Sequence, residues 1–137
     1  MTIYTIRHGE TVGNKEGRLQ GWFDGELNEN GIALAKETAA ALKEAGIHFD
    51  ACYSSPLSRA ADTAKILLSE SGNENPPIFY DDRLKEANVG GWDNRLMSEM
   101  KEFMLRYMTD PFGITKEEML DGETMRETCD RTQDFLK

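Results

Sequence analysis

The stretch Phe49 to Leu68, FDACYSSPLSRAADTAKILL, decides the fold class because a strand pattern runs directly into a helix pattern. Residues 49–55 are mostly apolar, which predicts a buried strand that contains Cys52. Pro56 suits the first turn of a helix, and Ser55 is its expected N-cap. The apolar face expected for this helix consists of Leu57, Ala60, Ala61, Ala64, Leu67 and Leu68.

Similar elements flank this unit on both sides. Residues 2–6 carry β-branched and aromatic side chains and predict a first strand, and residues 77–82 predict a third. Between the first two strands, residues 28–45 have apolar positions at helical spacing (Ile32, Ala35, Ala39 and Leu42), with Asn28 as N-cap and Gly46 as stop. This alternation predicts an α/β domain over residues 1–137, a three-layer fold with a mostly parallel sheet flanked by helices.

Beyond residue 84 the sequence predicts helices over 95–108 and within 115–137, but no fourth strand. Met97, Met100, Met104 and Met108 have helical spacing. We expect them to form an ordinary core face, since methionine fills irregular gaps. The alternative is an adaptable apolar lid over a binding pocket.

Composition and charge exclude several classes of protein. The 137 residues carry a net charge of −9, which disfavours binding to nucleic acid but not to a small anion. The sequence has neither a long apolar run nor a secretory signal, so we expect a cytoplasmic protein that does not contact membranes. Cys52 and Cys129 lie far apart, as expected for free thiols in a reducing compartment.

The first strand ends in Arg7 and His8, at the carboxyl edge where ligands bind in open α/β sheets. An isolated pair of this kind usually has a structural role. A histidine can also be a base, a metal ligand or a nucleophile. Because His48 is the only other histidine and no GxSxG motif is present, a metal site and a serine triad are poorly supported. The interpretation that remains is a nucleophilic His8 beside an anion-binding Arg7. Phosphate fits this pair because a guanidinium binds it through two parallel hydrogen bonds.

Arg59 adds to this interpretation because it falls in the first turn of the helix that follows the second strand. Free N–H groups and the dipole already favour anions at a helix N-terminus. A positive charge there opposes the dipole, so pairing with a carboxylate such as Asp62 or binding of an anion must account for it. We expect this terminus to open on the same edge as His8.

Three blocks carry a resemblance to a known family: RHGETVGNKEGRLQGW (7–22), YSSPLSRAADTA (53–64) and RLKEANVGGWDN (83–94). They resemble, in order and at the usual separations, the signatures of the histidine phosphatase superfamily, which includes the cofactor-dependent phosphoglycerate mutases. A later stretch, DGETMRETCDRTQDFL (121–136), resembles the family's GES segment and the helix after it. The resemblance implies a phosphoglycerate mutase-like fold.

The resemblance also implies roles for individual residues. His8 would take the phosphoryl group, and Glu86 would protonate the leaving oxygen and then activate water. A desolvated pocket would keep Glu86 protonated at first. The residues expected to bind the phosphate and the substrate are Arg7, Asn14, Arg59, Glu86 and the backbone around Gln20 and Gly21.

One feature of the family is missing, namely a second catalytic histidine in a late strand. His48 precedes the second strand and lacks a following glycine, so it does not match that histidine and we expect it at the surface. We therefore expect the chain to be the N-terminal part of a longer protein, lacking the C-terminal strand and nearly inactive by itself.

The expected function is a phosphatase that acts on a small phosphorylated metabolite, without a metal or other cofactor. The string LKEANVGGW around Glu86 differs from the mutases' ERHYG, and only Arg95 and Lys101 follow it as nearby cations. A cofactor-dependent phosphoglycerate mutase is the first alternative. A catalytically impaired phosphate-binding domain is the second. A homodimer is compatible with the sequence.

Overall fold

A computed structural model describes residues 1–73 and 76–137 of the chain. It contains five α-helices and two strands within those ranges. In chain order they are α1 (Val12–Lys15), α2 (Glu29–Glu44), β1 (Cys52–Ser54), α3 (Ser58–Glu70), β2 (Ile78–Tyr80), α4 (Lys101–Thr109) and α5 (Met125–Phe135). Single 3₁₀ turns lie at Asp82–Leu84, Gly90–Trp92, Met97–Glu99 and Pro111–Gly113. Within the same ranges, no helix is both long and apolar enough to cross a membrane.

The two strands pair in parallel, with Cys52 opposite Ile78 and Ser54 opposite Tyr80. They are joined through α3, which makes the β–α–β unit that the sequence predicts. The prediction of a buried second strand is wrong in part. Tyr53 is 57% exposed and stacks on Phe79, and Cys52 is only half-buried.

Residues 2–6 do not form the predicted first strand. They are extended and exposed, and in the described ranges none of their backbone groups bonds to another backbone group. The alternating side chains of a strand do not by themselves supply a neighbour for its N–H and C=O groups. Tyr4, whose ring meets Phe49 edge-on at 5.6 Å, anchors the segment.

Helices α2 and α3 pack against each other through small side chains. Ala35 and Ala39 are buried on α2, and Ala61 and Ala64 are buried on α3. The ends of α2 match the sequence, since Asn28 caps it by accepting the Gly31 N–H at 2.9 Å. Ile32 was expected in the buried face but is 38% exposed.

The start of α3 differs from the prediction. The helix begins at Ser58, two residues after Pro56, and its N-cap Leu57 supplies no side-chain hydrogen bond. Ser55 is therefore not the cap, although its Oγ accepts the Leu57 N–H at 3.3 Å. Asp24 takes over the capping function from a separate loop, accepting the Ser58 N–H at 2.7 Å.

A second apolar core lies between the segment 87–92 and the later helices. Val89, Ile114 and Met119 are buried at its centre. Gly90 has a φ of +54°, and a Cβ there would collide with backbone atoms of Met119 and Gly122. This close approach joins the segment that carries Glu86 to the chain before α5.

The four methionines between residues 97 and 108 contribute less to this core than expected. Helix α4 begins only at Lys101, because the backbone of Met100 is not helical. Met100 is buried, whereas Met108 is 77% exposed. The packed side chains of α4 are instead Phe103 and Tyr107, and Phe103 stacks on Trp92 with ring centres 4.5 Å apart.

Candidate active site

The loop that carries His8 is fixed by its neighbours rather than by a strand. Gly9 lies so close to Gly31 of α2 that a Cβ would meet the Gly31 carbonyl. The Gly9 N–H donates to Thr63 Oγ1 of α3 at 3.2 Å, and the Thr63 hydroxyl donates to the Arg59 carbonyl at 2.7 Å. The position of His8 therefore depends on the packing of α2 against α3.

The half-buried His8 ring has one nitrogen, Nε2, that is free to act as a nucleophile. Its Nδ1 lies 2.7 Å from the Gly9 carbonyl oxygen. A carbonyl only accepts, so Nδ1 carries the proton and the neutral ring has its lone pair on Nε2. This tautomer is suited to a nucleophilic imidazole.

The electrostatic surroundings keep this ring neutral. Burial lowers the pKa of His8, and the positive charges of Arg59 and Arg7 lower it further. The hydrogen bond to Gly9 and the charge of Glu86 raise the pKa without reversing the shift. The structure thus brings His8, Arg7, Arg59 and Glu86 near enough for their charges to interact.

Arg59 is almost completely buried, with 2% of its surface exposed. Its Nη1 donates to the Phe23 carbonyl at 2.9 Å and its Nη2 to the Gly21 carbonyl at 2.7 Å. Burial lowers the pKa of Arg59, while the carboxylates of Glu86, Asp93 and Asp24 raise it. A guanidinium has five N–H groups, so three remain after these two bonds.

Two aspartates that sequence reasoning missed shape this side of the site. Asp93 accepts the Gly21 N–H at 2.8 Å and the Phe23 N–H at 2.7 Å through its two carboxylate oxygens. Asp24 accepts both the N–H and the hydroxyl of Ser58. Asp93 lies in the motif at 83–94, but only the folded contact, across 72 residues, reveals its bond to Gly21.

The structure assigns different positions to Asn14, Gln20 and Gly21. Asn14 is exposed, and its Oδ1 accepts the Thr11 N–H at 3.1 Å. The amide of Gln20 is packed between Gly13 and Gly25, and its buried Nε2 has no partner in residues 1–73 and 76–137. Both polar backbone groups of Gly21 are bonded to Asp93 and Arg59, so Gly21 shapes the loop rather than offering its N–H to a ligand.

Glu86 is exposed, which contradicts the expectation of a desolvated carboxyl. Its Oε1 accepts the Ala87 N–H at 2.9 Å. Its backbone carbonyl is firmly held, accepting Trp22 Nε1 at 2.8 Å and Arg131 Nη2 at 3.2 Å. The carboxyl therefore stays open to solvent while its backbone is fixed.

The second histidine lies outside this arrangement. His48 is exposed in the connection before β1, as the sequence predicts. Across the described ranges, no three side chains of His, Cys, Asp or Glu are arranged to hold a metal ion.

The lowered pKa of His8 leads to a testable pH dependence. Because the neutral ring is the nucleophilic form, we expect phosphoryl transfer to decline only below the usual histidine pKa of about 6.5. The folding contribution has the same sign. Protonation is harder in the folded state, so stability present above pH ~6.5 is lost as the pH falls through the lowered value. Titration of the ring by NMR, assigned with His8→Gln, would contradict this if the midpoint lies above 6.5.

The sequence matches a known family over almost its whole length. The model of the histidine phosphatase superfamily (branch 1) matches residues 3–137, so the chain belongs to this family. The superfamily includes both phosphatases and mutases.

Individual relatives support the family and the fold. A 2,3-bisphosphoglycerate-dependent phosphoglycerate mutase from Treponema denticola is 37% identical over 102 residues, which cover 74% of this chain and 41% of the relative. The phosphoglycerate mutase structure from Bacillus anthracis superposes with a TM-score of 0.82 at 24% identity, over 94% of this chain and 63% of that one. The alpha-ribazole phosphatase structure from Shigella flexneri superposes with a TM-score of 0.79 at 28% identity, over 96% of this chain and 63% of that one. The chain spans about two fifths of the length of the curated relatives it matches.

Proposed function

We propose that the protein is a phosphomonoester phosphatase that acts on a small phosphorylated metabolite. The observation that carries the proposal is the His8 ring, whose Nδ1 is bonded to the Gly9 carbonyl and whose neutral form is favoured beside Arg7 and Arg59. In the first step, Nε2 attacks phosphorus and the bond to the leaving oxygen breaks. In the second step, water attacks phosphorus, the P–N bond breaks and His8 is restored.

Arginines and hydrogen bonds stabilise the transferring group in this scheme. Its charge is spread over three oxygens, so positioning and electrostatics provide most of the rate enhancement. The proposed donors are the three remaining N–H groups of Arg59, the Arg7 side chain and the amide nitrogen of Asn14. None of these roles requires a metal ion or another cofactor.

Glu86 is the proposed proton donor and acceptor. The phosphate group of a bound monoanionic ester carries a proton. The Glu86 carboxylate passes this proton to the leaving alkoxide and then takes another from the attacking water. Exposure of the side chain allows it to reach a bound ester, and the charge of Glu86 already acts on both His8 and Arg59.

Hydrolysis is favoured over a mutase reaction because the cations on either side of Glu86 are already paired with aspartates. A mutase must hold a second acidic group of its substrate. Arg83 pairs with Asp81 at 2.7 Å and Lys85 pairs with Asp82 at 2.8 Å, so both flanking cations are already neutralised. The names of the curated relatives favour the mutase as the second candidate.

Substitution of Glu86 tests this function directly. Glu86→Gln should slow cleavage of an alkyl phosphate by about 10²–10⁴-fold. It should slow cleavage of p-nitrophenyl phosphate far less, because that leaving group is stable without a proton. The measurement is kcat/KM for both esters, in protein expressed from its complete reading frame.

The exposed Glu117 provides a matched control, since Glu117→Gln removes the same charge from a surface position. Equal losses for the two esters in Glu86→Gln would contradict the acid role. Rapid interconversion of phosphoglycerates primed by 2,3-bisphosphoglycerate, without release of phosphate, would favour the mutase instead.

A further inference from the structure

Arg131 of α5 is bonded to the backbone of the segment that carries Glu86. Its Nη1 donates to the carbonyls of Arg83 at 2.8 Å and Lys85 at 3.0 Å, and its Nη2 donates to the carbonyl of Glu86 at 3.2 Å. One guanidinium thus holds three carbonyls within four consecutive residues at 3.2 Å or less, and a fourth, that of Asp82, lies at 3.5 Å. The planar, five-donor geometry of arginine makes this possible, whereas lysine offers only a point charge.

Glu123 holds the same guanidinium from the other side. Its two carboxylate oxygens each lie 2.8 Å from Arg131, one from Nε and one from Nη2. The two side chains are only 16% and 17% exposed. Burial alone raises the pKa of Glu123, but the bonds from Arg131 and Asn88 outweigh it and lower the pKa, so the carboxylate stays charged.

Glu123 also fixes the chain on the far side of Glu86. Its carboxylate accepts the Asn88 N–H at 2.9 Å, and its own N–H donates to the Asn88 carbonyl at 2.6 Å. The backbone is therefore held before Glu86 by Arg131 and after it by Glu123. The indole N–H of Trp22 completes the arrangement at the Glu86 carbonyl.

We propose that Arg131 and Glu123 are positioning residues for Glu86, an inference that rests on the proposed function. The exposed carboxyl has one internal bond, from the adjacent Ala87 N–H, within the described residues. Its direction is consequently set by the backbone that Arg131 and Glu123 hold. The pair acts through Glu86 and does not itself contact the reacting phosphate.

The first test uses the two tryptophans as reporters. Arg131→Met should speed hydrogen exchange of the Trp22 indole N–H by about tenfold, as expected for the loss of roughly one net hydrogen bond at its acceptor. The indole of Trp92, which donates to the Glu118 carbonyl at 2.6 Å, serves as the internal reference. Unchanged Trp22 exchange, or equal acceleration at both tryptophans, would overturn the inference.

Arg83→Met is the matched control, because Arg83 also joins α5 to this segment through Asp134 but does not touch the Glu86 carbonyl. It should leave the Trp22 exchange rate as it is. If Arg131→Met fails to fold, Arg131→Lys gives the same readouts, since its charge is retained while the fork of donors is lost.

The second test separates this inference from the proposed function. Arg131→Met should lower kcat/KM for an alkyl phosphate by on the order of 10²-fold, as misplacement of a catalytic group does. The loss for p-nitrophenyl phosphate should be much smaller. Combined with Glu86→Gln, the Arg131 substitution should add little.

The two failures give different results. If Glu86→Gln discriminates between the esters and Arg131→Met does not, the positioning role is wrong. If Glu86→Gln itself does not discriminate, the acid role in the proposed function is wrong, and accelerated Trp22 exchange would still support the backbone contact.

Discussion

Turnover of every phosphomonoester is expected to disappear when His8 is replaced by alanine. The substitution removes the only proposed nucleophile, so kcat should fall by ~10⁵-fold or more, as it does when other enzymes lose their nucleophile. The backbone of Gly9 holds the loop through the Thr63 hydroxyl and the backbone of Gly31, and neither contact involves the imidazole. The fold should therefore survive, which circular dichroism would verify beside the rate measurement.

Covalent labelling gives a second readout for the same substitution. Brief exposure of the wild-type protein to a labelled phosphate ester should produce a phosphohistidine that is labile in acid and stable in base. His8→Ala should lose both label and turnover, while His48→Ala, which alters an exposed histidine before β1, should lose neither. Retained turnover in His8→Ala would contradict the mechanism.

The helices could be predicted from sequence because their signals are local. Asn28 caps α2 as predicted, and Gly46, with a φ of +65°, follows its end. Spacing of alanines and leucines identifies four of the six buried residues of α3, but it misses Arg59 and Thr63. Each of these features depends on neighbours within one or two turns.

Two failures of prediction have a non-local origin. The pattern of residues 2–6 is that of a strand, but a strand requires a pairing partner, which side-chain alternation does not specify. The methionine spacing assumed one continuous helix from residue 95. The non-helical Met100 interrupts it, and Phe103 and Tyr107 become the packed pair on α4.

In the candidate site too, local motifs identify residues, whereas contacts between distant residues depend on the fold. Motifs proposed His8 and Arg59 as candidates because their residue types carry the chemistry, and Glu86 only through the resemblance to the family; all three roles stay predictions. Motifs could not show that Asp93 takes the Gly21 N–H, or that Arg59 donates to the Gly21 carbonyl. Those bonds link residues 72 and 38 positions apart, and only the packing of the loop against α3 brings them together.

Arg59→Lys is expected to lower both activity and stability. Lysine retains the charge but not the planar fork, so it cannot bond the Gly21 and Phe23 carbonyls and the phosphate together. We expect kcat/KM to drop by about 10²–10³-fold, the usual effect of losing one electrostatic donor. A buried carbonyl left without its donor costs roughly 1–3 kcal/mol, so the melting temperature should also fall.

A matched substitution separates the two effects. Arg18 also donates to a backbone carbonyl, that of Asn94 at 2.9 Å, but contacts no proposed catalytic residue. Arg18→Lys should therefore reduce stability and leave kcat/KM near the wild-type value. Inhibition by inorganic phosphate adds a direct measure of anion binding. If Arg59→Lys lowers the melting temperature but binds phosphate as the wild type does, Arg59 only holds the loop, and the anion must be bound by Arg7 and Asn14.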